Sequence, residues 1–187
     1  MGDQAHRPAR LILVKHGMPQ IVEDQPRSSW RLSEFGRAGA VRAADGLARL
    51  SPDRLLSSAE PKAAETAQAM APRFGLTPQV DADFGEHRAD EAPFGTAAAF
   101  EADVAALFAD PVGLVMGEET GLAARSRFDA AIARIGPAKS AVVVAHGRVI
   151  TLWLSHRLGF DPLPFWKSLS FCHAAVLEGD RLELVVP

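Results

Sequence analysis

The 187-residue sequence predicts an α/β protein, a three-layer sandwich with a mainly parallel central sheet and helices on both faces. Short apolar runs typical of strands alternate along the chain with longer segments of helical spacing, which is the order of a parallel sheet with crossover helices. Two of the runs, residues 11–14 and 141–145, are apolar throughout, as expected for strands buried on both faces. Both runs lead into the dipeptide His-Gly, at His16 and His146.

The composition indicates an ordinary globular chain. We expect a flexible tail over residues 1–9 and a single domain over residues 10–187, because no linker interrupts the sequence. A net charge of −3 gives no electrostatic reason to expect nucleic acid or an anionic membrane as a partner. No apolar run approaches the roughly 20 residues of a membrane span. The polar start, residues 1–10, and the single cysteine, Cys172, favour a cytoplasmic protein, while the oligomeric state is not indicated.

The first half of the chain predicts two strand–helix units. Residues 10–16 form the first strand, and the glycine- and proline-containing residues 17–31 form a long loop over its end. Residues 33–50 form a helix that opens on a serine able to cap it. Residues 54–57 form a short strand, and residues 61–75 form a helix that opens on a proline and ends on a glycine.

The second half continues the same alternation. A short strand over residues 79–81 precedes an irregular acidic stretch, residues 82–95. Helical spacing predicts three further helices, over residues 96–108, 118–135 and 149–158. The second buried strand ends at His146, and a closing hairpin joins residues 174–177 to residues 181–186.

The two strand ends are where chemistry is expected, because ligands in open α/β sheets bind past the carboxyl ends of the strands. His16 follows Lys15, and a neighbouring cation keeps an imidazole neutral and therefore nucleophilic. Gly17 permits close approach of a ligand to the backbone. With His146 at the same edge, these residues would form a positively polarised pocket for an anion, most naturally phosphate. The alternative is that each histidine caps its strand by a hydrogen bond to a loop.

Lys62 is placed to join this pocket. It lies in the first turn of a predicted helix, directly after a strand that ends in Ser57-Ser58, and helix amino termini attract anions. The alternative is a solvated lysine paired with Glu65 or Thr66 one turn along the helix.

The acidic stretch offers a proton donor. Cleavage of a phosphate ester needs a proton for the leaving oxygen, for which a carboxylic acid of raised pKa is useful. The residues alone do not choose Glu86 over Asp90, Glu91 or Glu118, each of which is also a candidate for a solvated surface charge.

Taken in order, the motifs resemble those of the histidine phosphatase superfamily, the phosphoglycerate-mutase-like proteins. The matching blocks are residues 15–17, 32–40, 57–67, 84–87, 117–119 and 142–147. Each block alone is unspecific, but the ordered set over residues 10–155 is specific. The resemblance implies a phosphoglycerate-mutase-like fold and a phosphomonoesterase that needs neither a cofactor nor a metal ion.

The resemblance also assigns roles to individual residues. His16 would accept the phosphoryl group and form a phosphohistidine. Glu86 would protonate the leaving alcohol and later activate water. His146, with Lys15 and Lys62, would hold the phosphoryl oxygens. We add Gly17 and Arg148 to the phosphate-binding set, and the substrate would be a small-molecule or protein-borne phosphate.

The sequence departs from the superfamily motif at both arginine positions of the pocket, which hold Lys15 and Lys62. An arginine presents a rigid fork to two phosphate oxygens, whereas a lysine is a point charge. Only four of the 20 basic residues are lysines, so finding two of them here indicates a selected or tolerated difference. Four arginines are placed to compensate, and Arg148 is the first choice because it follows His146-Gly147; the others are Arg27, Arg31 and Arg88.

Two other functions remain open on the sequence. A catalytically impaired member that binds an anion or a protein partner is the main alternative. A phosphomutase is disfavoured by the short chain and by the absence of any asparagine; Gln20 is the nearest polar residue to the expected position. Four aromatic residues are expected at the pocket rim or in packing: Trp30, Phe94, Phe165 and Trp166.

Overall fold

The structure is a computed structural model that describes residues 7–92 and 95–186. Within these residues a six-stranded sheet has the order β3-β2-β4-β1-β5-β6. The strands are β1 (Arg10–Lys15), β2 (Arg54–Ser57), β3 (Gln79–Val80), β4 (Ser140–Ala145), β5 (Ala174–Glu178) and β6 (Arg181–Val185). β1 to β4 pair with one another in parallel, whereas β5 runs antiparallel to both β1 and β6, the latter pair being the predicted closing hairpin.

Helices cover both faces of the sheet, which confirms the predicted three-layer α/β architecture. They are α1 (Glu34–Leu47), α2 (Pro61–Phe74), α3 (Ala97–Ala109), α4 (Gly121–Arg134), α5 (Gly147–Leu158) and α6 (Pro162–Ser168). Alternate residues of β1 point to opposite faces: Leu11 and Leu13 pack in a core with α4 and α5, whereas Ile12 and Val14 pack in a second core with α1 and α2. No helix in the described part of the chain is long and apolar enough to cross a bilayer.

The central pair of strands brings the two histidines together. In the parallel pairing of β1 and β4, Lys15 lies opposite Ala145, so His16 and His146 leave the sheet side by side. Ser58, which follows β2, donates its N–H to Val144 O at 2.9 Å and so joins the next strand to the same edge.

Helices α4 and α6 differ from the sequence prediction. Helix α4 begins three residues later than expected, because Thr120 caps it by accepting the N–H of Ala123. Helix α6, short and opened by a proline, was not predicted. At the end of the expected tail, Arg7 pairs with Asp129 at 3.3 Å and Ala9 donates its N–H to Ala138 O.

Candidate active site

A cavity of about 460 Å³ opens beyond the carboxyl ends of β1 and β4. It is lined by the charged and histidine residues that the sequence singled out: Lys15, His16, Lys62, Glu86, His146 and Arg148. Gly17 stands behind this lining. A Cβ added there would lie 2.7 Å from Gly36 O, so the close approach of α1 already requires a glycine at this position. Its N–H is taken by Thr66 Oγ1 at 2.9 Å.

His16 is a neutral imidazole whose free nitrogen can be identified. Its Nδ1 lies 2.7 Å from Gly17 O, and because a carbonyl only accepts, Nδ1 carries the proton and Nε2 carries the lone pair. Burial, then the neighbouring His146, Lys62 and Lys15, hold the pKa of His16 well below its ordinary value. The predicted effect of the adjacent cation is therefore present, although burial is the larger cause.

His146 occupies the N-cap position of α5 and is fully buried. Its ring centroid lies 5.1 Å from that of His16. Neither ring nitrogen forms a hydrogen bond with any described residue, and Nε2 lies 3.4 Å from Glu60 Oε1. Burial and the charge of Lys62 hold the pKa of His146 well below its usual value, so the ring is neutral.

Both lysine ammonium groups lie at the cavity and are directed by carbonyls. Lys15 Nζ donates to Leu169 O at 2.8 Å and lies 4.8 Å from the centre of the Phe171 ring. Lys62 Nζ donates to Arg27 O at 2.8 Å. An ammonium carries three N–H donors, so each lysine retains capacity for a ligand. Burial lowers the pKa of Lys15, and the charge of Glu86 partly offsets that effect.

The pKa of Glu86 is lowered rather than raised in the free protein. Burial alone would raise it, but the Arg148 guanidinium, 3.4 Å away, and the backbone N–H groups that the carboxylate accepts hold the pKa of Glu86 well below its ordinary value. Those N–H groups belong to Arg148 and Val149 in the first turn of α5, at 3.1 and 3.0 Å, and to His87. Glu86 is therefore ionised in the free protein.

Two other acidic residues that the sequence singled out, Asp90 and Glu118, accept backbone N–H groups of the loops. Glu118 accepts the N–H groups of Asp90 and Glu91, and Asp90 accepts the N–H of Ser28 at 3.0 Å. Of the carboxylates considered from sequence, Glu86 is the one that contacts the first turn of α5, next to His146.

Arg127, which the sequence analysis missed, holds the Glu86 segment from behind. Its guanidinium donates to the carbonyls of Asp83, Gly85 and Glu86, at 2.9, 2.8 and 2.6 Å. It also forms two hydrogen bonds with the Glu119 carboxylate. The contacts with the three carbonyls span 41 to 44 residues along the chain, so no local pattern could have found them.

Three of the four arginines considered as substitutes line the cavity: Arg27, Arg88 and Arg148. The guanidinium carbons of Arg27 and Arg148 lie 5.3 and 5.8 Å from the Phe100 ring centre. Arg31 instead forms an ion pair with Glu65 on α2.

A large part of the remaining wall is apolar. That part is formed by Pro19, Ile21, Trp30, Phe100, Trp166 and Phe171, while Ser28, Glu60, His87 and Asp90 also line the cavity. Of the four aromatic residues expected at the rim, Trp30 and Trp166 line the cavity, Phe165 packs against the core, and Phe94 lies outside the described residues. The backbone N–H of Gln20 donates a hydrogen bond to Arg31 O.

The family follows from a match to nearly the whole chain. Residues 11–183 match the family model described as Histidine phosphatase superfamily (branch 1). The chain belongs to this superfamily. The match confirms the predicted family and supports the expectation of a phosphatase-type hydrolase. No curated protein matches the sequence.

Solved structures confirm the phosphoglycerate-mutase-like fold. A protein described as mycobacterial hydrolase 1 is 25% identical with a TM-score of 0.74, and the match covers 97% of both chains. The native mycobacterial glucosyl-3-phosphoglycerate phosphatase is 26% identical with a TM-score of 0.74, covering 95% of this chain and 97% of that one. Its complex with inorganic phosphate is 27% identical with a TM-score of 0.69 and 95% coverage of each chain.

Proposed function

We propose that the protein is a phosphomonoesterase that acts through a phosphohistidine on His16. The observation that carries this proposal is the state of that ring: neutral, with the proton on Nδ1 and the lone pair on Nε2. Lys15, Lys62 and His146 surround it with cations and donors for phosphoryl oxygens. The mycobacterial relative named as a phosphatase, with its inorganic phosphate complex, supports the same chemistry.

In the first step His16 Nε2 attacks phosphorus, the P–N bond forms and the P–O ester bond breaks. The electron pair of the broken bond goes to the leaving oxygen, which takes a proton and departs as an alcohol. The ring gains positive charge, and the hydrogen bond from Nδ1 to Gly17 O stabilises it. The two ammonium groups offset the charge on the phosphoryl oxygens.

Glu86 supplies the proton once substrate is present. It is ionised in the free protein, but a phosphate dianion beside it disfavours the carboxylate charge and raises its pKa. Glu86 therefore takes up a proton with substrate binding and gives it to the leaving oxygen. In the second step the carboxylate accepts a proton from the attacking water, the P–N bond breaks, its electrons return to Nε2, and inorganic phosphate is released.

We infer that the lysines belong to an active site rather than to an impaired one. Lys15 and Lys62 stand at the positions where the superfamily motif has arginine, and each ammonium is held at the cavity by a fixed carbonyl. A point charge so directed stabilises a phosphoryl group without a fork. The presence of His16, His146 and Glu86 around the same cavity favours hydrolysis over simple anion binding.

The wall of the cavity indicates the class of substrate. The cavity volume of about 460 Å³ lies within the range of small-molecule pockets, roughly 300 to 1,000 Å³. The cavity therefore has room for a leaving group beside the phosphate. Because a large part of that wall is apolar and aromatic, we infer that the leaving alcohol carries an apolar group.

The test is detection of the intermediate. Wild-type protein is mixed with phenyl phosphate, quenched and analysed by mass spectrometry, and phosphate is expected on His16. His16→Ala should neither carry phosphate nor release phenol, whereas His156→Ala, an exposed histidine of α5, should behave as wild type. Equal turnover by wild type and His16→Ala contradicts the proposal. Binding of phosphate without a phosphohistidine favours the impaired member, and return of phosphate to an isomer of the substrate favours a mutase.

A further inference from the structure

The carboxylate of Glu60 lies in the cavity and does not cap the helix that Glu60 precedes. The residue is the N-cap of α2, yet its side chain accepts no capping hydrogen bond from that helix. The side chain is instead 16% exposed and lines the same cavity as His16. An acidic group in a site proposed for phosphate needs a physical account, because two anions close together repel each other.

The contacts of Glu60 are with groups of the proposed mechanism. Oε2 forms an ion pair with Lys62 Nζ at 2.5 Å. Oε1 lies 3.4 Å from His146 Nε2 and accepts the backbone N–H of Glu86 at 2.7 Å. Lys62 and His146 are the side chains to which the proposed function assigns phosphoryl oxygens.

A carboxylate oxygen and a phosphoryl oxygen compete for such donors, because both are anionic acceptors. Lys62 Nζ has three N–H groups, of which one goes to Arg27 O and one to Glu60. His146 Nε2 has no hydrogen-bond partner among the described residues, so in the tautomer that carries the proton on Nε2 it can donate to either anion. Glu60 therefore covers the cationic side of the phosphate site in the free protein.

We propose that Glu60 competes with phosphoryl oxygens for Lys62 and His146, and so weakens phosphate binding and speeds the release of inorganic phosphate. The inference rests on the proposed function for the roles of those two residues. A phosphoryl oxygen takes the place of the carboxylate at Lys62, while Glu60 keeps the N–H of Glu86. When inorganic phosphate leaves, the carboxylate returns to the ammonium, which avoids an unpaired buried charge.

The experiment measures the affinity for inorganic phosphate by titration calorimetry, which needs no turnover. Glu60→Gln keeps the size of the side chain and removes its charge. Loss of one competing charge-assisted hydrogen bond predicts phosphate binding about tenfold tighter than wild type. Glu101→Gln is the matched control, since it breaks a surface ion pair with Lys167 in which both side chains are 48% exposed, and it should leave the affinity unchanged.

Weaker or unchanged phosphate binding by Glu60→Gln, at an unchanged melting temperature, overturns the inference. Weaker binding would mean that Glu60 instead positions the Lys62 ammonium for phosphate. Glu60→Ala, which removes the carboxylate altogether, decides in the same way if the glutamine variant is unstable. Failure of phosphate to bind wild type and variant alike also overturns it. The phosphohistidine measurement on wild-type protein is separate: its failure together with tighter binding by Glu60→Gln rejects the proposed function and leaves the competition standing.

Discussion

The carboxylate of Glu86 accepts the backbone N–H of Arg148 at 3.1 Å, from the first turn of α5. A helix amino terminus that faces a phosphate site would normally offer its N–H groups to the ligand. Here it offers them to a side chain of the protein, which fixes Glu86 beside His146, the N-cap of the same helix. Under the proposed function, a phosphate bound in this cavity would therefore be held by side-chain donors.

Glu86→Gln tests whether this residue transfers protons. Glutamine has one acceptor oxygen, so it can keep the N–H of Val149 or that of Arg148 but not both. The segment should nevertheless keep its position, because Arg127 still donates to the carbonyls of Asp83, Gly85 and Glu86. Loss of proton transfer should reduce turnover of an alkyl phosphate by about 10² to 10⁴. Steady-state rates and the rapid-quench yield of phosphohistidine measure both steps. The exposed Glu34→Gln is the control, and near-normal turnover by Glu86→Gln would remove the residue from the mechanism.

How far the sequence predicts this site depends on the distance between partners along the chain. His16 and His146 were predictable because strand periodicity and the rule of carboxyl-end sites are local. Glu60 and Arg127 were missed because their roles depend on residues 26 to 86 positions away, which only the packed fold brings near. The lowered pKa of Glu86 could not be predicted for the same reason, because the Arg148 guanidinium and the α5 N–H groups that lower it are distant in the sequence.

Stability should fall in mild acid because of buried histidines, among them His16 and His146. The pKa of His16 and that of His146 are held well below the ordinary value, so the folded protein keeps both rings neutral. As the pH falls below about 6.5 the unfolded chain binds protons that the folded chain does not, and the free energy of unfolding decreases. Urea unfolding of wild type and His146→Gln at several pH values measures this, and the variant should have a shallower slope between pH 7 and 5. Parallel curves would contradict the buried neutral state.

Replacing the lysines by arginine should lower activity rather than restore it. Lys62 is 6% exposed, and its ammonium lies between Glu60 and Arg27 O, where a guanidinium would have to displace one of them. Lys15 Nζ is held by Leu169 O. We expect turnover to fall about 10- to 100-fold in Lys15→Arg and in Lys62→Arg, since misplacement of a positioning group has that order of effect.

The matched control is Lys139→Arg, at the turn before β4 and outside the cavity, which should keep wild-type rates. Higher turnover in either pocket variant would show that lysine merely weakens the site.

Arg127→Met should destabilise the protein, because it removes the hydrogen bonds that hold the Glu86 segment. The Arg127 and Glu119 side chains are 14% and 8% exposed, so removal of one leaves a poorly solvated charge, and the free energy of unfolding should fall by about 3 kcal/mol. Arg134→Met is the control on the same helix: the Arg134 side chain is 50% exposed in its pairs with Asp81 and Asp83, so this variant should lose much less stability than Arg127→Met. Chemical denaturation compares them. Equal losses would mean that burial of the Arg127 pair is not what matters.

Phe100→Ala tests the apolar leaving group. Phe100 lines the cavity, and its ring lies 6.1 Å from that of Trp166, so truncation opens the apolar wall. We expect kcat/KM for 2-phenylethyl phosphate to fall about 10- to 100-fold, the effect of a lost apolar contact in a pocket, and that for glycerol 3-phosphate to change little. Both substrates esterify a primary alcohol, so leaving-group chemistry is closely matched.

Phe35→Ala is the control, since it removes a phenylalanine on α1 that is 67% exposed. Its kcat/KM values for the two substrates should equal those of wild type. An equal loss of kcat/KM for both substrates in Phe100→Ala would mean that Phe100 positions Arg27 and Arg148, whose guanidinium groups lie over its ring. An unchanged ratio of the two kcat/KM values would therefore contradict selection for an apolar alcohol, whatever the absolute rates, because only contact with the leaving group distinguishes the two substrates.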